Sequence, residues 1–97
     1  MESHDETGRD AERRRLAAEP YLERLDELRM RRAAAITLAD ALRGDAQLIE
    51  LHRAVRYARE ALIARRDYRE ALAYGRPLTR RQRRQMIRQE AKVARDA

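Results

Sequence analysis

Two long stretches of helical periodicity, joined by one short turn, constrain this chain more than any other feature of its sequence. Between Pro20 and Arg43, apolar residues recur at spacings of three, four or seven, which is typical of an amphipathic helix. The residues in this stripe are Tyr21, Leu25, Leu28, Ala35, Ala39 and Leu42. A second such stretch, from Ala46 to Tyr74, predicts a helix about 44 Å long. The sequence therefore predicts an all-α fold.

The residues between the two stretches predict a tight helix–helix turn. Gly44 favours the left-handed conformation that ends a helix, and Asp45 is a residue type that caps the next one. A connection this short makes the two helices antiparallel neighbours. We therefore predict a long antiparallel, coiled-coil-like hairpin in which residues whose numbers sum to about 89 face each other.

The second long stretch carries two apolar lines. We expect the principal line to pack against the first long helix; it consists of Leu48, Leu51, Val55, Ala58, Leu62 and Leu72. A narrower line of Ile49, Ile63 and Tyr74 lies about 120° around the helix. Arg65 and Arg69 interrupt the principal line. The register predicts interhelical salt bridges from these two residues to the acidic group Glu19, Glu23 and Asp26.

The N-terminal part of the chain has weaker signals. Residues 1–9 are polar and lack periodic apolar positions, which predicts a flexible lead-in to a single helical domain at 10–97. Pro20 suits the first turn of a helix and predicts a break before it. The expected order is a weak N-terminal helix at about 10–18, the hairpin helices at about 20–43 and 46–74, and a short basic helix at about 79–96.

The C-terminal helix has a clear start signal. Gly75 and Pro77 end the preceding helix, because glycine favours a left-handed cap and proline cannot continue the hydrogen-bond ladder. Thr79 and Gln82 have the spacing of a capping box, in which each side chain satisfies the backbone N–H of the other residue. A helix beginning at Thr79 is therefore expected.

Cations gather on one side of this helix. At about 100° per residue, six of them fall within an arc of about 120°; they are Arg80, Arg81, Arg84, Arg88, Lys92 and Arg95. Arg83 lies outside this basic arc. Met86, Val93 and Ala97 lie opposite it, and we expect them to dock the helix on the rest of the molecule.

Charge is distributed unevenly along the chain. The net charge is +6, and residues 76–97, with eight basic and two acidic residues, alone carry a net +6. The excess of arginine over lysine follows from high-GC codon usage as readily as from function, so the number of arginines by itself indicates no partner. The placement of the cations predicts an anion-binding surface.

One short segment resembles a known class of protein. The residues Leu78-Thr79-Arg80-Arg81-Gln82-Arg83 resemble the opening of the first helix in some bacterial helix-turn-helix regulators. The resemblance covers about a tenth of the chain, and the residues after it contain no further turn and recognition helix. We therefore assign no family from it.

The chemistry of the basic arc leaves three alternatives open. Arginine forks suit nucleic-acid phosphates, which is the interpretation we favour: a small non-enzymatic nucleic-acid-associated or regulatory factor. The alternatives are a protein-binding adaptor or phage assembly protein that engages an acidic protein surface, and a solvated helix without a partner. No motif predicts catalysis, a metal site or a cofactor.

Composition bears on the oligomeric state and the location of the protein. There is no Phe or Trp, and much of the apolar content is alanine, so a monomer has a thin core and we expect a homodimer. The chain lacks cysteine, a signal-peptide pattern and an apolar run of membrane-spanning length, which predicts a cytoplasmic protein without membrane association.

Overall fold

Three α-helices make up the computed structural model, which describes the backbone of residues 2–97 and the side chains of residues 8–97. Helix α1 spans Glu2–Ala41, α2 spans Gly44–Tyr74 and α3 spans Arg80–Asp96. Helices α1 and α2 pack against each other along their length as an antiparallel hairpin. The predicted all-α hairpin is confirmed.

Helix α1 buries the stripe that its periodicity predicts. Its buried residues are Ala18, Leu25, Leu28, Ala35 and Ala39, which recur at spacings of three, four and seven. Leu28, at 1% exposure, is the largest fully buried side chain. With Leu25 it packs around Ala64 of α2, and Tyr57 and Ala61 border this cluster. The core is therefore one line of contact between two helices.

Helix α2 contributes a different face from the one predicted. Its buried residues are Glu50, Ala54, Ala64 and Ala71, joined by half-buried Tyr57 and Ala61. The predicted principal line is wrong as a core element, because Leu48, Leu51, Val55 and Leu62 are 42–65% exposed. The buried seam, as we call these α1 and α2 residues, runs between the two apolar lines. Alanines allow the helix backbones to approach closely, and the leucines of α1 fill the space between them.

The predicted register is correct to within about one helical turn. Two hydrogen bonds between the helices join residues whose numbers sum to 86 and 87: Gln47 Nε2 donates to the Ala39 carbonyl at 3.1 Å, and Arg14 Nη1 donates to the Ala73 carbonyl at 3.1 Å. The expected salt bridges of Arg65 and Arg69 are absent among residues 8–97. Both arginines are exposed, so solvation replaces a partner.

Glycine permits the turn at each end of α2. Gly44 has φ +64° and Gly75 has φ +83°, values in the left-handed region that side chains with a Cβ disfavour. The Gly75 N–H donates to the Ala71 carbonyl at 2.8 Å and closes the last turn of α2. The predicted cap at Asp45 is wrong, since no side chain caps this helix and Asp45 lies in its first turn. There its charge favours the positive end of the helix dipole.

The predicted break before Pro20 is also wrong. Proline lies inside α1, so no separate helix exists at 10–18, and the expected flexible segment at 1–9 is helical from Glu2 onward. An internal proline costs about 3 kcal/mol of helix stability. Burial of Ala18 and Leu25 on either side of it offsets that cost. Once the helix is nucleated, extending it towards the N-terminus adds a hydrogen bond per residue without a new nucleus.

Candidate nucleic-acid interface

The start of α3 is fixed by the predicted capping box. The Thr79 N–H donates to Gln82 Oε1 at 2.9 Å, and the Gln82 N–H donates to Thr79 Oγ1 at 3.2 Å. Each residue therefore satisfies a backbone donor that the first helical turn leaves without an intrahelical partner. Thr79 in extended conformation is the N-cap, as the spacing predicts.

Arg83 anchors α3 to the hairpin. Its Nε donates to Glu70 Oε2 at 2.7 Å, and its Nη2 donates to Glu70 Oε1 at 2.9 Å and to the Leu78 carbonyl at 2.7 Å. Asp67 lies 3.7 Å from the same guanidinium. The Leu78 N–H completes the contact by donating to Glu70 Oε1 at 2.9 Å. A bidentate pair of this kind fixes orientation as well as distance.

This anchor perturbs the protonation of Glu70. Hydrogen bonds from Arg83, against the opposing effect of burial, hold the pKa of Glu70 below its ordinary value of 4.5, and the Leu78 N–H lowers it further. The same hydrogen bond raises the pKa of Arg83. The pair retains some solvent exposure, so we expect it to contribute about 1–2 kcal/mol to the docking of α3.

Acidification is expected to release this anchor. A carboxylate with a lowered folded-state pKa stabilises the structure fully above its unfolded value near 4.5, and that stabilisation is lost as pH falls through the lower folded value. The Leu78 amide resonance in an NMR titration reports Glu70 directly. Its midpoint should lie below 4.5, and Glu70→Gln should abolish this transition. A midpoint at or above 4.5 contradicts the lowered pKa.

Beyond its first two turns, α3 projects away from the hairpin. Tyr74 Oη donates to Met86 Sδ at 3.5 Å, and every residue from 87 to 97 is exposed. The predicted docking face is therefore wrong for Val93 and Ala97 and holds only at Met86. The contacts that position the helix all lie near its N-terminus, so the rest of the helix follows its axis into solvent.

The six residues of the basic arc remain on a solvent-facing surface. Each is exposed, and within residues 8–97 none forms an ion pair within 4.0 Å or a side-chain hydrogen bond; they are Arg80, Arg81, Arg84, Arg88, Lys92 and Arg95. From Arg80 to Arg95 the arc extends about 22 Å along the helix. Arg83 alone among the cations of α3 is consumed by an internal contact.

Sequence reasoning did not identify the partner of Arg83. The position of Arg83 outside the basic arc was the available signal, since a cation on the docking side of a helix requires a counter-ion when it becomes partly buried. Glu70 and Asp67 lie three residues apart on α2, on the helical face towards Arg83. Only the direction of the turn at 75–79 brings them to that guanidinium.

Other kinds of site find no support in the described part of the chain. Residues 8–97 contain no group of three His, Cys, Asp or Glu side chains arranged to hold a metal ion. His52 is exposed on α2. Among the described helices, none has the length and apolar character needed to cross a membrane. The basic arc is thus the most distinctive charged surface of residues 8–97.

Comparison with known proteins adds no family. No protein-family model, curated protein or solved structure matches the chain. A function for this protein therefore has to be inferred from the surfaces described above.

Proposed function

We propose that the protein is a small non-enzymatic nucleic-acid-associated or regulatory factor that binds the phosphate backbone through the basic arc of α3. One observation carries the proposal: six exposed cations lie on one side of a helix whose remaining arginine, Arg83, holds it to the hairpin. The helix is attached at one end and presents the arc to solvent.

The chemistry of the arc suits repeated anions. Arginine presents a planar fork of donors that matches two phosphate oxygens, and five of the six cations are arginine. A lone α-helix has a diameter that fits the major groove of duplex DNA, about 12 Å wide. Phosphate contacts of this type give affinity and position without sequence readout. The proposal is therefore for backbone binding.

Salt dependence tests this proposal. If all six cations contact phosphates, the logarithm of the association constant should fall with the logarithm of salt concentration with a slope of about −5. Affinity should then drop about a thousandfold between about 50 and 200 mM salt. Fluorescence anisotropy with mixed-sequence duplex and single-stranded oligonucleotides measures both quantities. Absence of salt-sensitive binding to either form at low ionic strength would falsify the proposal.

A second candidate is a protein-binding adaptor or phage assembly protein that engages an acidic protein surface. It is favoured by the apolar side chains beside the basic arc, since Ile87 and Val93 are 64% and 68% exposed and phosphate does not require them. Co-purification from the native host separates the candidates. Recovery of nucleic acid that nuclease abolishes supports the first, and a discrete protein that survives nuclease supports the second.

The proposal also includes a homodimer. The buried core has few large side chains, and only Leu28 among them is less than 2% exposed. Many large apolar side chains of the hairpin are exposed instead. Burial against a second copy stabilises such a fold by mass action.

A further inference from the structure

One side of the hairpin is free of α3 and carries most of the exposed apolar surface of α2. Arg83 contacts Asp67 and Glu70, which places α3 on the opposite side, where Pro20, Arg24 and Ile63 also line a shallow groove. We call the side without α3 the open face. Its apolar residues are Leu48, Leu51, Val55 and Leu62 of α2 with Ile36 of α1, all 39–65% exposed.

The open face also has a charge pattern. On α1, acidic residues follow seam residues by one position, which turns them about 100° onto this face; they are Glu19, Asp26 and Asp40. On α2, Arg65 and Arg69 lie on the same face, exposed and without ion pairs among residues 8–97. The open face is therefore apolar along its middle and towards the hairpin turn, with an acidic edge on α1 and a basic edge on α2.

We propose that the open face binds the open face of a second copy of this chain, forming a four-helix dimer. An interface between identical faces requires a surface that is complementary to itself. Here the acidic edge of α1 and the basic edge of α2 supply that complementarity, and the leucines between them supply the apolar contact. This inference does not depend on nucleic-acid binding.

Charge selects one arrangement of the two copies. A two-fold axis perpendicular to the helices stacks α1 on α1 and places acid against acid. An axis parallel to the helices stacks α1 of one copy on α2 of the other and keeps each residue at its own level along the hairpin. The observed register places Arg69 at the level of Glu19, and Arg65 between Glu19 and Asp26. Opposite charges then meet across the dimer, with both hairpin turns at the same end.

The open face has a suitable size for this role. From Leu48 to Arg69 it extends about 32 Å along α2, and two helices side by side are about 20 Å wide. Its area is comparable with the roughly 800 Å² that each partner contributes to a standard protein interface. Arg29 also lies on this face, at the level where Ala58 of the second copy leaves room for it.

Paired charge-swap variants test the dimer. Arg65→Glu with Arg69→Glu gives an acidic open face, and Glu19→Arg with Asp26→Arg gives a basic one. Analytical ultracentrifugation without nucleic acid should show the unmodified protein at twice its 11.4 kDa chain mass. Each variant alone should raise the dimer dissociation constant at least about tenfold. An equimolar mixture of the two variants should restore dimers.

Misfolding and a different partner for the open face give other results in the same experiment. Circular dichroism of each variant verifies that the helices remain, and recovery in the mixture excludes simple misfolding. A monomeric unmodified protein overturns the proposal and assigns the open face to a different partner. Dimers that both variants retain, or a mixture that stays monomeric, also overturn it. The altered residues lie outside α3, so this result and the oligonucleotide assay fail or succeed separately.

Discussion

Replacing Arg84 and Arg88 with glutamate is expected to weaken oligonucleotide binding by about a hundredfold or more at low salt. Both residues lie in the basic arc, are exposed and make no contact within residues 8–97 that the substitution would break. Two phosphate contacts are lost, so the slope of log affinity against log salt should become shallower by about 2. Anisotropy titrations at several salt concentrations measure both effects.

The matched control is the pair Arg9→Glu and Arg13→Glu on α1. It has the same four-residue spacing and the same change in net charge, but it lies far along the sequence from α3. If long-range charge alone governed binding, the two double variants would weaken it equally. Such equality would show that the basic arc is not the contact surface. Unchanged helicity in both variants is required for the comparison.

Leu28→Ala is expected to reduce the free energy of unfolding by about 2–4 kcal/mol. Leu28 is 1% exposed and packs with Leu25 around Ala64, so truncation removes apolar burial and leaves a cavity between helices that alanine cannot fill. For a domain of this size, the loss corresponds to a fall in melting temperature of at least about 10 °C. Urea and thermal unfolding followed by circular dichroism at fixed protein concentration measure it.

Met30→Ala serves as the control for that prediction. Met30 is 73% exposed on α1, two residues from Leu28, so its truncation should change stability by less than about 0.5 kcal/mol. The comparison tests the location of the seam. Similar losses at the two positions would mean that Leu28 is not at the centre of the core.

Local signals in the sequence predicted much of the fold. Helical periodicity and the turn at Gly44 specify the hairpin and its register, because both depend on residues close in the chain. The capping box of Thr79 and Gln82 is equally local and is present as predicted. The break at Pro20 was predicted wrongly, because a residue propensity of about 3 kcal/mol was overridden by packing of α1 against α2.

Burial could not be read from the apolar pattern of α2. Its large residues mark two lines, and the longer line of leucines is the natural candidate for the core. The structure instead buries the alanines between those lines. Close approach of two helices favours small residues on one partner when the other supplies leucines, and this complementarity is visible only when both helices are in place.

The basic arc of α3 was determined by the sequence alone, since helical spacing places its six cations on one side whatever the helix packs against. Tertiary structure decided what that helix does with its other side. The Arg83–Glu70 pair fixes only the first turns, leaving residues 87–97 in solvent and the open face of the hairpin uncovered. The physical reason is range: periodicity acts between residues three or four apart, whereas docking depends on charges thirteen residues apart meeting across a turn.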